Sequence, residues 1–137
     1  MIGILVVTHS QLGEALIEAA AFVLGSRPEA VLPLSIDLNE NADKLHDKIA
    51  KGIKQVDGHR GVVILTDMFG GTPSNLSYSF LEEGRIEVLS GVNLPILLKA
   101  INSRGEQDLS ALAKTLEETG KKSISLASSI LRGNKRS

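Results

Sequence analysis

Cysteine and tryptophan are absent from this 137-residue chain, and one tyrosine and three phenylalanines are its only other aromatic side chains. Without thiols there is no disulfide framework, no thiolate nucleophile and no zinc–thiolate site, so a metal would have to be held by histidine and carboxylates. An aromatic content of 3% leaves few platforms on which bases could stack. Neither sign of charge dominates: 15 Lys and Arg against 16 Asp and Glu give a net charge of −1. No field therefore concentrates the protein on nucleic acid or on an anionic membrane surface. Long hydrophobic runs are missing too. The opening run, Ile2 to Val7, has no basic stretch before it and falls far short of a membrane span or a signal-peptide core, so the expected location is the cytoplasm.

What the chain does have is apolar content, 42% of its residues, enough for one compact core but not for two. A single domain is expected over residues 1–131, with 132–137 as a disordered, solvated tail. Ile2 to Thr8 is continuously apolar without polar alternation, the signature of a strand buried on both faces of a parallel sheet, and residues 61–67 repeat it. Between them, Leu12, Leu16, Ala19 and Val23 recur at helical spacing, with Ser10 as a possible N-cap and Gly25 as a stop. The strand at residues 30–35 contains Pro33, which cannot donate to a ladder and so belongs at an edge. Ala42, Leu45, Ile49 and Ile53 mark the next helix. Thr72-Pro73 reads as N-cap and first helical position, Ile86 to Ser90 as a short strand, and Asn93-Leu94-Pro95 as the start of a further helix. Leu109, Leu112 and Leu116 lie on a last helix ended by Gly120. Residues 122–127 alternate, with Ile124 and Leu126 on one side, and predict an antiparallel or edge strand. The sum is an α/β fold: a doubly wound, mostly parallel sheet of order 2-1-3-4, helices on both faces, and a C-terminal antiparallel strand.

In such a sheet the winding reverses between the first and third strands, and reacting groups collect at the carboxyl ends of the strands there. His9 and Asp67 occupy those two ends. His46 lies on a helix facing solvent and His59 precedes its strand at the opposite end, so neither competes. The stretch TDMFGGTPSN, residues 66–75, then supplies Gly70 and Gly71 for close backbone approach, followed by Thr72 and Ser74 at a helix start suited to an anion. Ser10 opens a second such mouth directly after His9. Each part alone is weak, since two glycines after a strand usually make only a tight turn and a histidine there could be a capping residue. Together they suit phosphoryl transfer through histidine, with Asp67 fixing the ring tautomer and Ser10, Gly70, Gly71, Thr72 and Ser74 holding phosphoryl oxygens. No Walker A sequence, kinase loop or metal cage accompanies them, so the site would carry a phosphoryl group rather than draw one from ATP, with no cofactor and no metal.

At these residues the sequence resembles the mannose-class IIA components of the bacterial phosphoenolpyruvate-dependent sugar phosphotransferase system (PTS). The likeness runs through GILVVTHSQLG at the start, ENA at 40–42, TDMFGGTPSN at 66–75 and SGVNLP at 90–95. It implies that His9 is a phosphoryl acceptor forming a tele-phosphohistidine, loaded by the carrier HPr and discharged to a histidine of a IIB protein, with Asp67 orienting the ring. Membrane IIC and IID components would be reached only indirectly. The resemblance also implies a homodimer that exchanges its C-terminal strand. Phe69 stands where some relatives carry tryptophan, which keeps an apolar rim but removes an N–H donor. The phosphoryl-donor subunit of dihydroxyacetone kinase has a similar early histidine, but GGTPSN followed by GVNLP favours the sugar system. A non-catalytic regulatory module is a further alternative. A hydrolase built on Ser10 or Ser74 lacks the G-x-S-x-G elbow.

Overall fold

The computed structural model describes the backbone of residues 1–136 and the side chains of residues 1–132. Strands β1 (Gly3–His9), β2 (Val31–Ile36), β3 (Val62–Thr66) and β4 (Ile86–Ser90) alternate with helices α1 (Leu12–Leu24), α2 (Ala42–Val56) and α3 (Thr72–Tyr78). Helices α4 (Leu94–Ser103), α5 (Leu109–Lys122) and α6 (Ala127–Arg136) follow. The sheet order is β2-β1-β3-β4 with every pairing parallel, as the sequence predicts, and Pro33 sits on the edge strand opposite Val6.

The two-residue period of the strands divides the core. Ile4 and Val6 of β1, with Val63 and Leu65 of β3, face α1, α4 and α5, where Ile17, Ala20, Leu97, Ala100, Leu112 and Leu116 close the layer. Leu5, Val7, Val62 and Ile64 face the other way, onto Leu45, Ile49 and Ile53 of α2. Each such valine, leucine or isoleucine contributes about 1.5–3 kcal/mol by leaving water. β1 and β3 are buried on both faces, and α1 and α3 leave their carboxyl ends on opposite faces.

Four local expectations are corrected. Residues 122–127 form no strand: Lys122 ends α5, Ser123 to Leu126 are irregular, and α6 begins at Ala127. Two alternating apolar residues were too short a signal, and both are exposed, Ile124 at 84% and Leu126 at 68%. Gly120 does not stop α5. It lies within the helix, where a Cβ would come 2.8 Å from Cδ1 of Ile96, so glycine there permits close packing of α5 on α4. Ser10 does not cap α1 either; Gln11 occupies that position, Ser10 takes a left-handed φ of 50°, and the Thr8 hydroxyl accepts the Gly13 N–H at 2.9 Å. In α3 the cap is Gly71, one residue before the expected Thr72. Helix α6 runs to Arg136, and Ser137 lies outside the described residues.

Candidate active site

Register brings the two strand ends together. Val7 pairs with Thr66, which sets His9, the last residue of β1, beside Asp67, the first after β3. One oxygen of Asp67, Oδ2, accepts two hydrogen bonds from His9: the backbone N–H at 2.9 Å and ring Nδ1 at 2.7 Å. The other, Oδ1, accepts the N–H of Met68 at 3.0 Å. The carboxylate thus holds both the main chain and the ring of the same residue, which removes most of the ring's rotational freedom.

The charge state follows from those partners. Desolvation raises the carboxyl pKa of Asp67, but the hydrogen bonds from the His9 main chain and ring, with the attraction of His9, outweigh it and hold the pKa below the ordinary 3.8. An ionised carboxylate can only accept, so Nδ1 must carry the hydrogen, and in the neutral imidazole the lone pair lies on Nε2. Asp67 is 10% exposed and His9 38%: the orienting group is enclosed while the ring reaches solvent.

Gly70 and Gly71 divide the work assigned to them jointly. Gly70 has a φ of 84° and turns the chain; Gly71 has an ordinary φ and lies against the imidazole, where a Cβ would meet Cε1 at 2.9 Å and Nε2 at 3.5 Å. His9, exposed Ser10, Glu14, Asp37 and Leu38 line an open cleft of about 670 Å³. Thr72 is half-buried at the start of α3. Ser74 is not part of this mouth. It is fully buried, and its hydroxyl is turned inward onto Thr66, Ser90 and the Met68 carbonyl, so its expected contact with phosphoryl oxygens is not supported. His46 is exposed with its ring stacked on Phe80 at 4.3 Å, and His59 precedes β3 at the amino end of the sheet.

The sequence reading missed the hydroxyl cluster of Thr66, Ser74, Tyr78 and Ser90. Its signal was a polar residue ending each of two neighbouring apolar strands, Thr66 and Ser90, which the register places opposite each other.

The sequence matches the family described as PTS system fructose IIA component (EIIA-man) over residues 3–117. It is 30% identical over 129 residues to the fructose-specific EIIA component of the PTS from Bacillus subtilis, covering 93% of this chain and 88% of that protein. It is also 30% identical over 125 residues to the mannose-specific EIIAB component of the PTS from Escherichia coli, covering 90% of this chain but only 38% of that longer protein. Among solved structures, a phosphotransferase system component EIIA from Streptococcus agalactiae superposes with a TM-score of 0.83 over 94% of this chain and 99% of that one. Its identity is 23%, which speaks for the fold alone.

Proposed function

From the premise that the chain belongs to the EIIA-man family of PTS IIA components, we propose that it carries a phosphoryl group on Nε2 of His9. PTS IIA components are phosphotransferases, and the observation that supports this site for the chemistry is the 2.7 Å bond between Asp67 Oδ2 and Nδ1 of the half-exposed His9. The lone pair of Nε2 attacks the phosphorus of a phosphohistidine on the donor, HPr. The new N–P bond forms as the donor's N–P bond breaks, and the donor imidazole leaves with the bonding pair. No proton has to move. The phosphorylated ring of His9 keeps its hydrogen on Nδ1 and becomes cationic, and the Asp67 carboxylate already stands against that charge. The reverse sequence, with a histidine of a IIB protein as nucleophile, discharges the carrier.

Beyond the nucleophile itself, phosphoryl transfer of this kind asks the protein for position and charge. Asp67 supplies both. Gly71 keeps the approach to Nε2 clear, and in this reading Gly70, Thr72 and Ser10 receive the incoming oxygens. Met68 and Phe69, 54% and 79% exposed, offer apolar contacts to successive partners. Among the described residues no helix is long and apolar enough to cross a membrane. We read the carrier as cytoplasmic and homodimeric, reaching membrane components only through IIB.

Incubation with phosphoenolpyruvate, enzyme I and HPr should add one acid-labile phosphoryl group, seen by intact mass, and His9→Ala should take up none. Equal uptake by the variant, or a label on His46 or His59, overturns the assignment.

A further inference from the structure

Ser74 is a serine in the first turn of a helix, without solvent exposure. A hydroxyl in such a place is costly unless it is bonded, and an alanine would pack with no polar cost. Its hydroxyl donates to the carbonyl of Met68. It also lies 2.6 Å from Thr66 Oγ1 and 3.0 Å from Ser90 Oγ. Thr66 donates to Ser90 at 2.8 Å, and Tyr78 meets Ser90 at 3.0 Å. The group ties the carboxyl ends of β3 and β4 to α3.

The acceptor gives this cluster its consequence. Met68 is held at both ends: its carbonyl by Ser74, its N–H by Oδ1 of Asp67, whose Oδ2 holds His9. The Met68 side chain is exposed and cannot anchor the turn by packing. The N–H and the carbonyl of Met68 belong to successive peptide units joined at its Cα; with the carbonyl freed, Met68 can turn about that Cα, which takes the N–H off Oδ1 and lets the carboxylate swing away from Nδ1.

We infer that Ser74, braced by Thr66 and Ser90, is a positioning residue for phosphoryl transfer, acting through the main chain of Met68 on the Asp67 carboxylate and through it on the tautomer of His9. The inference rests on the reading of His9 as the phosphoryl acceptor. Loss of a group that supports a reacting ligand costs roughly 10-fold to 100-fold in activity.

The test uses the whole chain, with Ser74→Ala and Ser90→Ala, and Ser79→Ala as a control whose hydroxyl bonds only the Leu76 carbonyl on the exposed end of α3. Three quantities are read: the maximal transfer rate from phospho-HPr, the KM for phospho-HPr, and the His9 tautomer by ¹⁵N NMR. Ser74→Ala should lower the rate 10-fold to 100-fold, leave KM unchanged, and reduce the share of Nδ1–H imidazole. Ser90→Ala should move the same readouts less, and Ser79→Ala none. A folded Ser74→Ala with wild-type rate and tautomer overturns the inference, even if it melts earlier. Should Ser74→Ala fail to fold, an unchanged Ser90→Ala overturns it instead. If the wild type takes no phosphoryl group on His9, the proposed function falls, and the tautomer ratio still decides the role of Ser74.

Discussion

The two ends of the sheet each hold a cation-capable side chain, and they use it differently. At the amino end Arg104, buried at the end of α4, donates to the carbonyls of Glu29 at 2.6 Å, Ala30 at 3.3 Å and Ile2 at 3.4 Å. It ties the entries to β1 and β2 to α4. At the carboxyl end His9 has one nitrogen held by Asp67 and reaches solvent with the rest of its ring. A buried side chain whose hydrogen bonds go to main-chain carbonyls contributes stability. One that keeps a free lone pair at the surface contributes reactivity. A charged or polar residue at the end of a buried strand is therefore read by what it leaves unbonded, and by that measure only the His9 end is built for chemistry.

The largest expected effect comes from removing the charge behind the ring. Asp67→Asn keeps the shape but gives up the charge-assisted bond, and transfer from phospho-HPr should slow by about 100-fold, measured by stopped flow, while the melting curve stays near wild type. A wild-type rate would make Asp67 a structural cap and erase the distinction between the two ends. Arg104→Met should do the opposite: lose about 2–3 kcal/mol in urea unfolding, since the carbonyls lose a charged donor, with the transfer rate unchanged at a temperature where the variant is folded. A fall in rate there would mean that the amino end also serves the reaction.

The smallest effect sharpens the comparison through pH. Asp67 is held below its ordinary pKa, so the folded state binds that proton less readily than the unfolded chain. Its contribution is present above about pH 4 and is lost as pH falls through the lower, folded value. The stability gap between wild type and Asp67→Asn should accordingly close in acid, followed by denaturant midpoints. A gap that stays constant down to pH 2 would remove the titration of Asp67 as its source.

Most of the fold was legible because the strongest physical signals in it are local. Continuous apolar runs at residues 2–7 and 62–65 have one stable home, a sheet covered on both faces, and Pro33 leaves its strand only an edge. From those, the sheet order and the juxtaposition of His9 and Asp67 follow. What was not legible depends on which way a short side chain turns. Ser74 reads from sequence as a surface hydroxyl at a helix start, yet a fully buried position turns it toward Thr66 and Ser90. Gly120 reads as a stop, yet Ile96, 24 positions earlier, decides that it is a contact. The alternation of Ile124 and Leu126 carries too little apolar surface to define a strand by itself.

The central claim is that Asp67 reserves Nδ1 and leaves Nε2 to react. Loading ¹⁵N-histidine-labelled protein with phosphoenolpyruvate, enzyme I and HPr, and reading phosphorus–nitrogen couplings by NMR, tests it most directly. The account predicts one phosphohistidine, at His9, with phosphorus on Nε2 and a hydrogen retained on Nδ1; phosphorus on Nδ1, or on a different histidine, would contradict it.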